Sequence, residues 1–252
     1  MRPDLIPIVL PLILVPILLI ALWRIRLKRL KIYHSPILGK IEVFEKYNKE
    51  KMVTINSYPQ GVSTEQKSIK ESYWYKVADE VAKSCKGKKD PRVLMLGLGA
   101  NTIPNLIADK NPNIRLTIIE IDKFMIRVCR EFFGLDQLPN YQLLRADAFN
   151  FFDNPKGLNT KFDAIIVDIF TGRPPYVSIK SNQPNFIEKL FPYLKKDGII
   201  LFNRPAHNKQ TKADGEALKE YLAKFFKETQ LIFIKDPRRF SNHVITAQTK
   251  II

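Results

Sequence analysis

Four short apolar runs in this chain of 252 residues end in side chains able to hold or activate a ligand. The first leads into Gly97-Leu98-Gly99-Ala100-Asn101-Thr102, where glycines let backbone approach a ligand and the next helix N-terminus offers free N–H groups. The second ends in Glu120-Ile121-Asp122, about 20 residues on, the spacing at which a carboxylate accepts both hydroxyls of a ribose. The third ends in Asp147-Ala148, where a carboxylate can take the exocyclic amine of a base, and the fourth in Asp168. Each acid alone serves as well as a helix cap or a solvated loop residue. In series they describe a nucleoside site with one more acid, Asp168, at the centre of its cleft.

The elements that must position these residues follow from the pattern around them. Apolar strands are expected at 93–99, 114–120, 141–147, 162–168 and 198–203. Helices are expected from about 103, over 123–133, briefly after 148, and up to about 194 and 227. Alternating apolar strands and amphipathic helices give a mostly parallel, doubly wound sheet, whose ligands bind beyond the carboxyl ends of the strands. Two last strands, 231–236 and 243–249, are joined by only Pro237-Arg238-Arg239-Phe240-Ser241-Asn242 and must pair antiparallel. The expected fold class is therefore α/β, a Rossmann-like sheet of seven strands with a C-terminal antiparallel hairpin. A nicotinamide-binding domain shares the glycine turn and the acid after the second strand. It differs in lacking this hairpin, in having glycine where Thr102 stands, and in giving Asp147 and Asp168 no set role.

Ahead of this unit, residues 32–66 read as a small β-hairpin domain, alternating around the turn Asn48-Lys49-Glu50, with a third short strand at 58–62. A helix follows over 67–86, packing through Tyr73, Tyr75, Val77, Ala78 and Val81. Residues 5–23 are uncharged and apolar, close to the roughly 20 residues that cross a bilayer, and Trp23 sits where an interfacial aromatic belongs. The flank Arg24, Arg26, Lys28, Arg29 and Lys31 places the remainder in the cytoplasm by the positive-inside rule. The weak charge before the apolar stretch and the lack of a small-residue cleavage site argue against a signal peptide. Three segments are thus expected: 1–31 a single-pass membrane anchor with its basic flank, 32–66 the β domain, and 67–252 the α/β domain.

The net charge of +16 belongs in part to that flank, and the remaining cations are interspersed with acids without an aromatic-basic ladder, so no nucleic-acid partner is expected. Cys85 and Cys129 form neither a C-x-x-C pair nor a cluster with histidine. That pattern implies no disulfide framework and no metal site.

The segments VLMLGLGANTIPNLI, LTIIEID, LLRADAFNFF, FDAIIVDIF and KDGIILFN, in this order and spacing, resemble the core of spermidine synthase and its spermidine synthase-like relatives. SPILGKIEVFEK and MVTINSYPQG resemble the N-terminal β-hairpin domain of that family, so the likeness runs from about 35 to 250. The resemblance implies the class I methyltransferase fold and an adenosyl sulfonium donor, S-adenosylmethionine or its decarboxylated form, without a metal. Gly97 and Gly99 would line the thioether or sulfonium end, Glu120 would hold the ribose and Asp147 the adenine amine, with Asn101, Asp122 and Ala148 also among the cofactor-binding residues. Gln60 would stand at the rim of the cleft. Asp168 would bind the acceptor amine and assist its deprotonation.

Two departures bear on the reaction. The family's aminopropyltransferases carry an aspartate in the glycine turn for the primary amine of the donor, and Ala100 stands there. They follow the strand-four aspartate with a D-S-x-D-P-like loop, whereas Asp168 is followed by Ile169-Phe170-Thr171-Gly172-Arg173-Pro174-Pro175, so one acceptor-side acid is missing. A turn without an acid no longer repels the carboxylate of intact S-adenosylmethionine, which favours methyl transfer to a small amine or acid acceptor. A true polyamine aminopropyltransferase and a non-catalytic, membrane-tethered nucleoside-binding module are the alternatives, and self-association into a homo-oligomer is compatible with each.

Overall fold

The computed structural model describes residues 27–65, 67–155, 158–170, 180–235 and 241–251. The expected anchor over 5–23 and the whole of Thr171–Pro175 lie outside these residues, as does 236–240 between the last two strands.

The described residues form two sheets. The first is a four-stranded antiparallel meander, β1 (Lys28–Ser35), β2 (Gly39–Glu45), β3 (Lys51–Ile55) and β4 (Tyr58–Val62). The boundary expected after residue 31 thus falls inside β1, whose Lys28 pairs with Glu45. Lys28, Arg29 and Lys31 lie on an edge strand, where charged side chains keep the edge from pairing further. The first turn after the meander is 3₁₀, residues 67–71, and α1 (Tyr73–Ser84) begins behind the Ser72 cap. Trp74, Val77, Ala78 and Val81 form its buried face, while Tyr73 and Tyr75 stay half-buried.

The second sheet has seven strands, β5 (Arg92–Leu96), β6 (Arg115–Glu120), β7 (Tyr141–Arg145), β8 (Phe162–Val167), β9 (Leu194–Pro205), β10 (Phe226–Ile234) and β11 (Asn242–Lys250). Their spatial order is β10-β11-β9-β8-β5-β6-β7. All neighbours are parallel except β11, which runs antiparallel to both β9 and β10. Between them run α2 (Thr102–Lys110), α3 (Lys123–Phe132), α4 (Ala148–Phe151), α5 (Pro184–Leu190) and α6 (Lys209–Leu222).

The central strands are buried on both faces, and their side chains feed two cores in alternation. Val93, Met95, Ala164, Ile166, Ile199 and Leu201 pack on one side with α1, α2 and α3. Leu94, Leu96, Ile165, Val167, Ile200 and Phe202 pack on the other with α5 and α6. The small sheet docks where the strand ends open. Thr102 gives its hydroxyl proton to the Val62 carbonyl and accepts the Val62 N–H. A side chain on Gly61 would put its Cβ 2.4 Å from the Ala100 Cβ, so glycine is what allows this close approach. Among the described residues no helix is long and apolar enough to cross a membrane.

Candidate functional site

A cavity of about 280 Å³ opens at the carboxyl ends of β5, β6 and β7. Gly97, Glu120, Asp147 and Ala148 line it, so four of the expected donor-site residues come together, with Ile119, Ile121, Phe149, Ile169, Phe170 and Lys180 between them. Its roof belongs to the small sheet through Ile37, Leu38, Ile55 and Asn56. Gly97 has a positive φ of 89°, and a Cβ there would lie 2.4 Å from the Asp168 carbonyl oxygen, so glycine brings β5 against the end of β8. A largely apolar cavity lined by two carboxylates fits an adenosyl group.

Glu120 is nearly sealed from solvent. Its Oε2 accepts the Leu98 N–H at 2.9 Å and its Oε1 the Asp122 N–H at 2.8 Å. Burial raises its pKa, against those two bonds. The carboxylate therefore fixes the glycine turn and the entry to α3 while keeping lone pairs for ribose hydroxyls. Asp147 caps α4, accepting from Phe149 N–H at 2.9 Å and from the Asn150 amide at 3.0 Å.

The other expected donor-side residues do not line this cavity. Asp122 caps α3 through the N–H groups of Phe124 and Met125 and accepts the Ser35 hydroxyl from the small sheet. Asn101 sits at φ 57°, a conformation asparagine tolerates, and gives its amide protons to Asn105 Oδ1 and the Phe133 carbonyl, each at 3.0 Å. Both residues hold the scaffold rather than the ligand. The Gln60 carbonyl would lie 3.1 Å from a Cβ on Gly99, which places Gln60 against the glycine turn, while its amide turns back to the Tyr58 carbonyl. Ala100 is buried against Gly61 of the small sheet.

Asp168 directly follows β8, its carbonyl against Gly97 of the cavity. Its Oδ1 accepts the Asn203 amide at 2.8 Å, and its Oδ2 the Tyr73 hydroxyl at 3.4 Å. Asn203 is in turn oriented by the Asn242 amide at 2.8 Å. Burial raises the Asp168 carboxyl to about 6, with both hydrogen bonds and the nearby Arg204 charge pulling the other way. Burial also holds the Tyr73 phenol well above its ordinary value, so it remains a proton donor. Sequence reasoning missed Tyr73 and Asn203. Asn203 carried a signal, as the last residue of an expected strand beside Asp168; Tyr73, 95 residues away on another element, carried none.

Residues 83–249 match the family model of the spermine/spermidine synthase domain. The chain belongs to the spermine/spermidine synthase family. A polyamine aminopropyltransferase of Vibrio vulnificus is 22% identical to this family member over 157 residues, 62% of this chain and 50% of that one. An eEF1A lysine and N-terminal methyltransferase of Mus musculus is 26% identical over 117 residues, 44% of this chain and 17% of that one. The chain thus spans half or less of the length of these relatives. Among solved structures, a probable spermidine synthase from Corynebacterium glutamicum superposes with a TM-score of 0.67 at 20% identity, covering 88% of this chain and 79% of that one. Human methyltransferase-like protein 13, in complex with SAH, superposes with a TM-score of 0.53 at 17% identity, covering 71% and 79%. These likenesses establish the class I methyltransferase-like fold.

Proposed function

We infer that this protein is a spermidine synthase-like transferase that moves a carbon group from an adenosyl sulfonium donor to the amine of a small acceptor. The observation that carries the reading is Asp168: a carboxylate at the centre of the strand ends, next to a glycine-floored cavity, held by Asn203 and Tyr73 and raised to about 6. A donor of this kind supplies an electrophilic carbon on positively charged sulfur. Gly97, Glu120, Asp147 and Ala148 would hold its adenosyl part and aim that carbon towards Asp168. The acceptor nitrogen forms the new N–C bond with its lone pair, the C–S bond breaks with its electrons going to sulfur, and Asp168 takes the amine proton.

Residues 97–102 contain no acid, which leaves nothing in the turn to attract the amine of a decarboxylated donor or to repel the carboxylate of S-adenosylmethionine. Methyl transfer is favoured on that ground, and aminopropyl transfer is the second reading, favoured by the Vibrio vulnificus relative. The protein acts at a membrane, tethered by residues 5–23 with its α/β domain on the cytoplasmic side. The test is turnover of each labelled donor against a panel of amines and small acids. Asp168→Asn should cost roughly 10²-fold or more in turnover with little change in donor affinity. Undiminished turnover in that variant would remove Asp168 from the mechanism.

A further inference from the structure

An ionised carboxylate only accepts hydrogen bonds, so the direction in which a neighbouring amide turns matters to it. Asn203 is 1% exposed and stands between Asp168 and Asn242. Its backbone is held on two counts: β9 pairs it with Val244 of β11, and the Arg204 guanidinium donates to its carbonyl at 2.7 Å. Rotation of the side-chain amide is the freedom that remains, and it decides whether NH2 or oxygen faces Asp168. Buried as the amide is, its two partners make that choice.

The bonds run in one direction. Asn242 Nδ2 donates to Asn203 Oδ1 at 2.8 Å, and Asn203 Nδ2 donates to Asp168 Oδ1 at 2.8 Å. Reversed, Asn203 would set its oxygen against a carboxylate oxygen and its NH2 against the NH2 of Asn242. The other groups acting on Asp168 are the Tyr73 hydroxyl on α1, which donates to Oδ2 at 3.4 Å, and the Arg204 charge on β9; both favour the ionised form against burial. The bond from Asn203 is the shorter of the two hydrogen bonds, and turning its amide would let Asp168 keep a proton for the Asn203 oxygen. A carboxyl group that keeps its proton takes none from an acceptor amine.

We propose that Asn242 is a positioning residue for the transfer: through Asn203 it fixes the direction of hydrogen bonding to Asp168 and so keeps Oδ1 an acceptor. This rests on the transferase reading above and adds to it a residue 74 positions from Asp168, at the first residue of β11. The C-terminal hairpin, whose described residues line no part of the donor cavity, thereby becomes part of the apparatus that holds the base. Asn242 is half-buried and does not touch Asp168, so its effect must pass through Asn203. That dependence separates it from a residue that only stabilises the hairpin.

The test follows the Asp168 carboxyl by NMR in full-length protein in detergent, with aspartate carrying ¹³C at the side-chain carboxyl; its signal is the one that Asp168→Asn removes. Asn242→Leu keeps the size of the side chain and loses the amide. It should raise the Asp168 titration midpoint by about half a pH unit or more in the wild-type background and leave it unmoved in Asn203→Leu, where the chain of bonds is already cut. An equal shift in both backgrounds would mark a structural effect of the hairpin and overturn the proposal, as would no shift in either. Alanine replaces leucine at either position if a variant does not fold, with the same expectation. The measurement needs neither donor nor acceptor, so its failure leaves the transferase reading standing. A folded protein that binds neither S-adenosylhomocysteine nor methylthioadenosine instead removes that reading and the role of Asn242 with it.

Discussion

A carboxyl group raised to about 6 has two consequences at the scale of the residue. As a base, Asp168 works only when ionised, so kcat/KM should rise through about pH 6 and level off above it. Tyr73→Phe removes a hydrogen bond that lowers the Asp168 pKa, so the acidic limb of that profile should move to higher pH with adenosyl affinity unchanged. A pH–rate profile checks both, and an unmoved limb in Tyr73→Phe would contradict the contact. The second consequence is for stability. Because the folded pKa lies above the unfolded value of about 3.8, the folded state binds more protons between the two, and stability falls as pH rises through that window. Asp168→Asn should then be more stable than wild type at pH 8, by at most about 3 kcal/mol, with no such gain below pH 4. Denaturant melts at the two pH values measure this. Asp168 was visible in the sequence as an acid ending an apolar strand. Its partners Tyr73, Asn203 and Arg204 were not marked as a set, because only the folded sheet brings α1 and β9 to it.

At the scale of the element, the acids after the strands do two kinds of work that residue type and spacing do not separate. Glu120 and Asp147 line the cavity, whereas Asp122, two residues beyond Glu120, closes the first turn of α3 and ties Ser35 of the small sheet to it. Asp122→Ala should therefore cost about 0.5–2 kcal/mol of stability, as a lost cap does, and leave adenosyl affinity nearly unchanged. A loss of affinity larger than the loss of stability would return Asp122 to the binding site. The parallel strands were legible because burial on both faces forces apolar runs such as 164–167, and the terminal hairpin because its connection is too short for a crossover. The start of the small sheet was not legible. In β1 the sequence KRLK alternates charge with leucine weakly, and its strand character comes from pairing with β2, not from its own pattern.

For the whole molecule, the small sheet is a roof over the donor cavity as well as a separate layer, since Ile37, Leu38, Ile55 and Asn56 all face it. Because β1 begins at Lys28, a membrane span at 5–23 would hold that roof within a few residues of the bilayer. Full-length protein should pellet with membranes and resist carbonate, and protein lacking residues 1–26 should not. Cutting at residue 31 would instead remove half of β1. Carbonate-soluble full-length protein would end the anchor proposal without touching the site. The central claim is that the cavity floored by Gly97 and bounded by Glu120 and Asp147 takes an adenosyl sulfonium donor. It is tested most directly by calorimetric titration of the full-length protein in detergent with S-adenosylhomocysteine, methylthioadenosine and NAD. The account predicts saturable binding of at least one of the two adenosyl thioethers, none of NAD, and roughly tenfold weaker binding in Glu120→Gln, about 1.4 kcal/mol for one altered carboxylate contact. No binding of either thioether to folded protein, or equal affinity in Glu120→Gln, would contradict it.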